Sequence, residues 1–272
     1  MQLPTSVKQA ECTVQRFFLF LWPLLNMAES GNYDKAKELT IKFVDLMLHE
    51  SQYSLKIKID SLVQLYSSVH TNSGIKSLAF EKLIQVCLEA QTTDIIVQRA
   101  REIATESANW NLKVAERRSL YQTVGRALDQ IGEASAAFKL IHAYLKLYKE
   151  GDADLAQTED DARRCVILAI KAVNVINFAE LEDLASVKLL TKKHQKVFSL
   201  LSLFTQATAK EFKGRLGDYR ELMGKEGLTE QELIVKKSYV QICTLNTQVT
   251  NFTYSELAEL LNVSLSLPCC HV

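Results

Sequence analysis

The residues whose types could do chemistry are spread too thinly along this chain to form a catalytic motif. The five histidines lack the spacing of a metalloprotease helix, and none has a regular partner for a nucleophile. Gly224-Lys225 resembles the end of a phosphate-binding loop. However, Tyr219 occupies the place of its first glycine and Glu226 that of its closing serine or threonine. We therefore predict no catalytic residue and no bound cofactor.

Two further groups of polar residues have ordinary structural explanations. Cys269-Cys270-His271 offers three potential ligands on adjacent residues, which cannot easily surround a tetrahedral ion, so we predict no metal site. Glu159, Asp160 and Asp161 follow Thr158 at a predicted helix start, where a capping residue and acidic side chains suit the helix dipole.

One basic cluster stands out, and it allows two interpretations. It could contact ribosomal RNA or an acidic partner helix, but such a run more often forms a solvated helix face. Its members are Lys188, Lys192, Lys193, His194 and Lys196.

The elements that must position these residues are predicted to be helices. The chain has only three prolines, and none lies between Pro23 and Pro268. Because proline breaks helix interiors, this distribution predicts an all-α protein. Lys+Arg and Asp+Glu are both 32, so no net charge draws the whole chain towards nucleic acid or anionic membranes. The six scattered cysteines suggest reduced thiols in a cytosolic or nuclear protein, and we predict a cytoplasmic location.

Apolar residues recur at helical spacing from end to end. Polar breaks separate these stripes, and alternate breaks recur about every 40 residues. A unit of two helices with that period predicts a right-handed solenoid of stacked helical hairpins; a plain helical bundle is the simpler alternative. Two of the predicted core stripes are Ala36, Leu39, Phe43, Leu46 and Ala162, Cys165, Val166, Ala169, Val173.

The last part of the chain has a different rhythm. A helix is predicted from Thr229 to Asn246, followed by a Thr/Val-rich stretch and a second helix. Helix, short extended piece and helix begin a winged-helix module, but its third helix and wing do not follow. We therefore divide the chain into an atypical N-terminal segment (1–30), a helical-repeat solenoid (31–228), the first part of a winged helix (229–263) and an atypical tail (264–272).

The N-terminal segment contains an apolar run, Phe17 to Leu25, after two basic residues. The run is too short to span a membrane, and no convincing cleavage site follows it. We predict a buried or partner-facing helix here, with a targeting role as the alternative.

Helical hairpins that lead into a winged helix resemble the PCI domain. Within that group, the chain resembles the subunit m family of eukaryotic translation initiation factor three, from about Ser54 to Val263. The residues that carry the resemblance are Asn109-Trp110-Asn111-Leu112, Asp161-Ala162-Arg163-Arg164-Cys165-Val166, Val187-Lys188-Leu189-Leu190 and Phe252-Thr253-Tyr254-Ser255-Glu256-Leu257.

The resemblance implies a scaffold role and no enzymatic activity. It implies a complex with other PCI- and MPN-type subunits of the initiation factor. That complex assembles on the small ribosomal subunit and supports recruitment of initiator tRNA and mRNA. Neither a small-molecule substrate nor a membrane is expected. The alternatives are a PCI subunit of the COP9 signalosome or proteasome lid and, from another class, a helical-repeat adaptor for cargo or peptides.

Six apolar residues of the incomplete winged helix are predicted to face a partner. Without a covering third helix they would expose apolar area, at roughly 25 cal/mol per Å². We expect this terminus to fray in the isolated chain or to dock onto a partner. The six residues are Val235, Tyr239, Ile242, Tyr254, Leu257 and Leu261.

Overall fold

The structure is a computed structural model, and it describes residues 33–50, 53–69, 73–107, 110 and 112–244, together with the single residues 19, 23 and 253. Within these residues the regular structure is helical and no β-strand occurs. The prediction of an all-α protein is confirmed. Two predicted helices lie outside the described residues. They are the N-terminal helix, of which only Leu19 and Pro23 are described, and the second helix of the winged-helix module.

Two compact units divide the chain, residues 1–140 and residues 141–272. The helices of the first unit are α1 (Tyr33–His49), α2 (Leu55–Ser68), α3 (Ser73–Glu89), α4 (Thr93–Glu106), α5 (Val114–Gln130) and α6 (Ala134–Leu145). Helix α6 crosses the boundary between the two units.

The first unit repeats a pair of helices. Helices α1, α3 and α5 begin at residues 33, 73 and 114, so the two-helix unit recurs about every 40 residues. Helix α3 is central, since it packs against α1, α2, α4 and α5. Polar contacts join the same elements: Lys37 pairs with Glu116, and Lys82 pairs with Asp45 at 2.8 Å. The first unit thus has the predicted rhythm of helical pairs, whereas the stacking of such pairs into a solenoid stays a prediction.

The core stripe predicted for α1 is wrong in part. The fully buried residues of this helix are Ala36, Thr40, Val44 and Met47, whereas Leu46 is 71% exposed. Leu39 and Phe43 lie half-buried at the edge of the buried face. The error arises because two stripes, rotated slightly from each other, both contain apolar residues at helical spacing.

The second unit contains shorter helices. They are α7 (Glu159–Lys171), α8 (Ala179–Glu182), α9 (Ala185–Lys188), α10 (Leu190–Lys193), α11 (Gln195–Gln206), α12 (Ala209–Arg215), α13 (Arg220–Glu226) and α14 (Glu230–Cys243), with 3-10 turns at Leu155–Thr158 and Leu216–Tyr219. Thr158 does precede α7, but its hydroxyl donates back to the Leu155 carbonyl at 2.7 Å. It therefore does not cap the helix, although the acidic residues occupy the first turn as predicted.

Helix α7 forms much of this unit's core. Ala162, Cys165, Val166 and Ala169 are fully buried, as predicted, but Val173 is 77% exposed. Val173 leaves the core because α7 ends at Lys171 and the backbone becomes extended at Ala172. Among the described residues of either unit, no helix is both long and apolar enough to cross a membrane.

Candidate functional site: the outer face of the last described helix

Helix α14 departs from an ordinary surface helix, because it buries two lysines and exposes three large apolar side chains. Its buried face carries two lysines, Lys236 and Lys237, which are only 6% and 4% exposed, together with two apolar residues. Its opposite face carries Val235, Tyr239 and Ile242, which are 42%, 53% and 43% exposed. Surface helices normally bury the apolar side and solvate the charged one. The three exposed residues are spaced i, i+4 and i+7, and we call them the α14 stripe.

Lys236 links α14 to the end of α7 by hydrogen bonding. Its ammonium group donates to the carbonyl oxygen of Ala172, just past the last turn of α7, and lies 3.4 Å from that of Val173. It also lies 5.6 Å from the centre of the Phe178 ring. A cation is favoured at a helix C-terminus and over an aromatic face. Burial nonetheless lowers the pKa of Lys236 to about 8.

Lys237 makes the equivalent contact with α11. Its Nζ donates to the carbonyl oxygen of Phe204 at 2.8 Å, within the last turn of that helix. Burial also lowers the pKa of Lys237. Two adjacent side chains therefore satisfy carbonyl groups that the ends of two helices leave open.

An aromatic cluster surrounds these contacts. The Phe178 and Phe204 rings stack with their centres 4.9 Å apart, and Phe212 meets Phe204 edge-on at 4.8 Å. All three rings are nearly inaccessible to solvent. The buried face of α14 is thus held by packed aromatic side chains and by charge-assisted hydrogen bonds, which are stronger than neutral ones.

The turn before α14 is fixed as well. Glu226, the last residue of α13, accepts hydrogen bonds from Arg163 and from Arg164, the latter at 2.9 Å. Gly227 then adopts the left-handed conformation with φ 63°, which closes α13 and redirects the chain. Thr229 and Glu232 form a capping box, with 2.9 Å between the Thr229 amide and the Glu232 carboxylate. The start of α14 is therefore defined by both side chains and backbone.

A shallow groove of about 390 Å³ borders the stripe. Val235 and Tyr239 of α14 line it, together with Ile170 and the exposed Val173 from the end of α7. Its other lining residues include two leucines and three charged side chains: Leu228, Leu233, Lys171, Glu232 and Lys236. The groove extends the apolar surface from α14 to the end of α7. Apolar side chains around an exposed tyrosine are typical of a surface that packs against another protein.

Half of the residues predicted to face a partner can be placed. Val235, Tyr239 and Ile242 share one exposed face, whereas Tyr254, Leu257 and Leu261 lie outside the described residues. The prediction that these residues face a partner stays a prediction. Sequence reasoning missed the buried lysines, because lysine is almost always exposed and no residue type marks a backbone carbonyl as its partner.

The predicted basic cluster is largely paired with carboxylates. Lys188 contacts Glu150 at 2.9 Å, and Lys193 contacts Glu159 at 2.8 Å. Lys196 lies 3.3 Å from an oxygen of Glu221. The cluster is thus an exposed face crossed by ion pairs.

Metal ligands do not converge within the described part of the chain, where no group of three His, Cys, Asp or Glu side chains could hold an ion. Cys165 lies in the core of α7, and burial raises the pKa of its thiol. Such a thiol is protonated and inert at neutral pH.

Comparison with known proteins gives a consistent set of relatives. No family model matches the chain. It is 20% identical over 207 residues to eukaryotic translation initiation factor 3 subunit M of Homo sapiens, which covers 76% of this chain and 54% of the relative. The same subunit of Bos taurus is 25% identical over 151 residues, covering 56% and 39%. That of Nematostella vectensis is 19% identical over 235 residues, covering 85% and 61%.

These matches are distant, and the chain spans about half the length of the curated relatives. They nonetheless agree on one protein across animals, and a fungal subunit M matches too, at 18% identity over 220 residues. Over most of its length, the chain resembles subunit M of eukaryotic translation initiation factor 3.

Proposed function

We propose that this chain is a non-catalytic scaffold subunit of the translation initiation factor 3 complex in the cytoplasm, and that the α14 stripe docks it onto a neighbouring subunit. We infer membership of this complex from the relatives, because they are named as its subunit M. The single observation that carries the docking surface is that α14 exposes Val235, Tyr239 and Ile242 while two of its lysines are buried.

The architecture proposed for this role keeps the boundaries set out from the sequence. Residues 31–228 form a helical-repeat solenoid, and residues 229–263 begin a PCI winged helix that contains α14. The partner is another PCI-type subunit, which covers the stripe with apolar side chains of its own. Through the whole complex, the chain then supports assembly on the small ribosomal subunit and recruitment of initiator tRNA and mRNA.

The energetics favour docking over permanent exposure. Val235, Tyr239 and Ile242 are each about half exposed, so a partner could remove considerable apolar area from water at about 25 cal/mol per Å². Because Lys236 and Lys237 fix the other face of α14, little conformational entropy would be lost on binding. A preorganised stripe of this kind suits a constitutive subunit contact.

The test is affinity purification of a tagged full chain from cells, with the partners identified by mass spectrometry. We expect the chain to recover other initiation factor 3 subunits and small-ribosomal proteins. The variant Val235→Ser/Tyr239→Ser/Ile242→Ser should lose them. A matched control, Leu46→Ser/Leu55→Ser/Val114→Ser, changes three exposed apolar helix residues elsewhere and should retain them.

Three results would overturn the proposal. Recovery of COP9 signalosome or proteasome-lid subunits would assign the chain to the alternative complexes. Equal recovery by both triple variants would show that the stripe is not the docking surface. Recovery of chaperones alone would show that this chain does not assemble.

A further inference from the structure

A second surface of the 141–272 unit carries concentrated positive charge. It is a groove of about 550 Å³ between the α10–α11 turn, α7 and α13, which we call the basic groove. One carboxylate, Glu226, lies among its lining residues. Five cationic side chains line it: Arg163, Lys192, Lys193, Lys196 and Lys225.

The carboxylates at this groove do not neutralise it, because three of them are each shared between two basic groups. The pairs are Glu226 with Arg163 and Arg164, Glu221 with Lys196 and Lys225, and Glu159 with Lys193 and His194. Asp160 also acts on Lys193 through its charge. Six Lys and Arg side chains therefore face four carboxylates, which leaves a net positive surface.

The lysines of the basic groove are free to change partners. The side chains of Lys193, Lys196 and Lys225 are 74%, 63% and 71% exposed. Exposed ion pairs contribute only about 0–1 kcal/mol, so their carboxylates can be exchanged for a stronger anion at little cost. Glu226 differs, because its side chain is 9% exposed and remains bound to the arginines.

The other lining residues indicate which anion fits. The two aliphatic residues of the groove, Val197 and Leu222, are buried and half-buried, so an acidic protein would find no apolar anchor there. Among the described residues, the one ring that lines the groove is that of His194, whose Nε2 lies 3.5 Å from Glu159, so successive unstacked bases would find no series of platforms. What remains is recognition of regularly spaced phosphates by flexible lysines, as in sequence-independent binding of a duplex.

We propose that the basic groove binds the phosphodiester backbone of double-stranded RNA. Binding to a duplex backbone follows from the groove, whereas the choice of RNA over DNA rests on the proposed function in translation. The groove and the α14 stripe are formed by different residues. The chain would thus contact RNA through one surface and a neighbouring subunit through another.

The test is fluorescence anisotropy of the full chain with a labelled, mixed-sequence RNA duplex of about 20 base pairs, at several salt concentrations. The variant Lys192→Gln/Lys196→Gln/Lys225→Gln should weaken binding by about tenfold or more. It should also reduce the slope of log affinity against log salt by about 2 to 3. The control Lys139→Gln/Lys210→Gln/Lys213→Gln removes three exposed lysines outside the groove and changes the net charge equally.

The outcomes separate this inference from the proposed function. Equal effects of the two triple variants, or no binding by the wild-type chain, would overturn the basic groove as an RNA site. Binding of polyglutamate but not of the duplex would overturn it in favour of an acidic protein. Neither result would bear on the proposed subunit contact. That contact is tested separately by the α14 stripe variant, which retains all of these lysines.

Discussion

The ammonium group of Lys237 and the carbonyl oxygen of Phe204 lie 2.8 Å apart in the interior of the 141–272 unit, so a lysine of one helix completes the last turn of another. Lys236 makes the same kind of contact with Ala172 at the end of α7. Together with the buried Leu233 and Val240, these two contacts hold that side of α14 inward. The orientation of the α14 stripe therefore depends on charges that lie behind it.

Replacing Lys237 should destabilise the protein. In Lys237→Met the aliphatic stem is kept, but the carbonyl of Phe204 loses its donor in a buried setting. We expect the free energy of unfolding to fall by about 1–3 kcal/mol, as for a buried polar group left unsatisfied. Chemical denaturation measures this loss. Lys213→Met, at an exposed position of α12, is the matched control and should change stability by less than about 0.5 kcal/mol.

Lys236 should make stability depend on alkaline pH. Its pKa is about 8 in the folded protein, against an ordinary value of 10.5. Between these values the unfolded chain binds more protons than the folded one, so the free energy of unfolding rises with pH. The cost of burying the charged form is complete below pH 8 and is relieved above it.

This dependence can be isolated by comparing denaturation curves of two proteins. From pH 8 to about pH 10, the wild-type chain should gain about 2 kcal/mol relative to Lys236→Met. Ionisation of Cys165 in the unfolded chain acts in the opposite direction, but it affects both proteins equally and cancels. Parallel curves for the two proteins would show that Lys236 titrates as an exposed lysine does.

Glu226 should contribute more to the free energy of unfolding than Glu221, a nearby glutamate that also pairs with two cations. Its side chain is 9% exposed and binds Arg163 and Arg164, whereas Glu221 is 64% exposed and binds two lysines. We expect Glu226→Gln to lower the free energy of unfolding by about 1–3 kcal/mol, and Glu221→Gln to lower it by less than about 0.5 kcal/mol. Similar losses in the two variants, measured by urea denaturation, would contradict the role given to burial.

Two glycines three residues apart should respond to alanine with opposite signs. Gly227 has φ 63° and Gly224 lies within α13; a methyl group added at either would meet nothing within 4 Å. Gly227→Ala should therefore cost about 1 kcal/mol through backbone strain alone. Gly224→Ala should gain up to about 1 kcal/mol from helix propensity. Thermal unfolding of both variants gives the comparison, and a shift in the same direction would refute it.

The sequence predicted the parts of this structure that depend on periodicity. The all-α class, the helical pairs and the shared face of Val235 and Tyr239 follow from residue spacing, which reflects local helix geometry. Leu46 and Val173, which were predicted to be buried and are exposed, show the limit of reasoning from spacing alone. Leu46 belongs to one of two overlapping stripes, and Val173 continues the stripe of α7 beyond the end of the helix.

The features that orient the site could not be predicted in this way. Lys236 and Ala172 are 64 positions apart, and Arg163 and Glu226 are 63 apart, so no local pattern joins them. A buried lysine also contradicts the usual behaviour of its residue type. The distribution of charge in the basic groove likewise depends on how α7, α10, α11 and α13 meet, because the sequence shows one cluster of lysines but not the carboxylates that share them.

The exposed apolar side chains of α14 also have a consequence for the supply of this protein in a cell. A copy made in excess of its partner would display Val235, Tyr239 and Ile242 to chaperones and degradation machinery, which recognise exposed apolar side chains. A copy bound to its partner would hide them. The lifetime of each molecule would then depend on whether it has assembled, so synthesis of the partner would set how much of this chain accumulates.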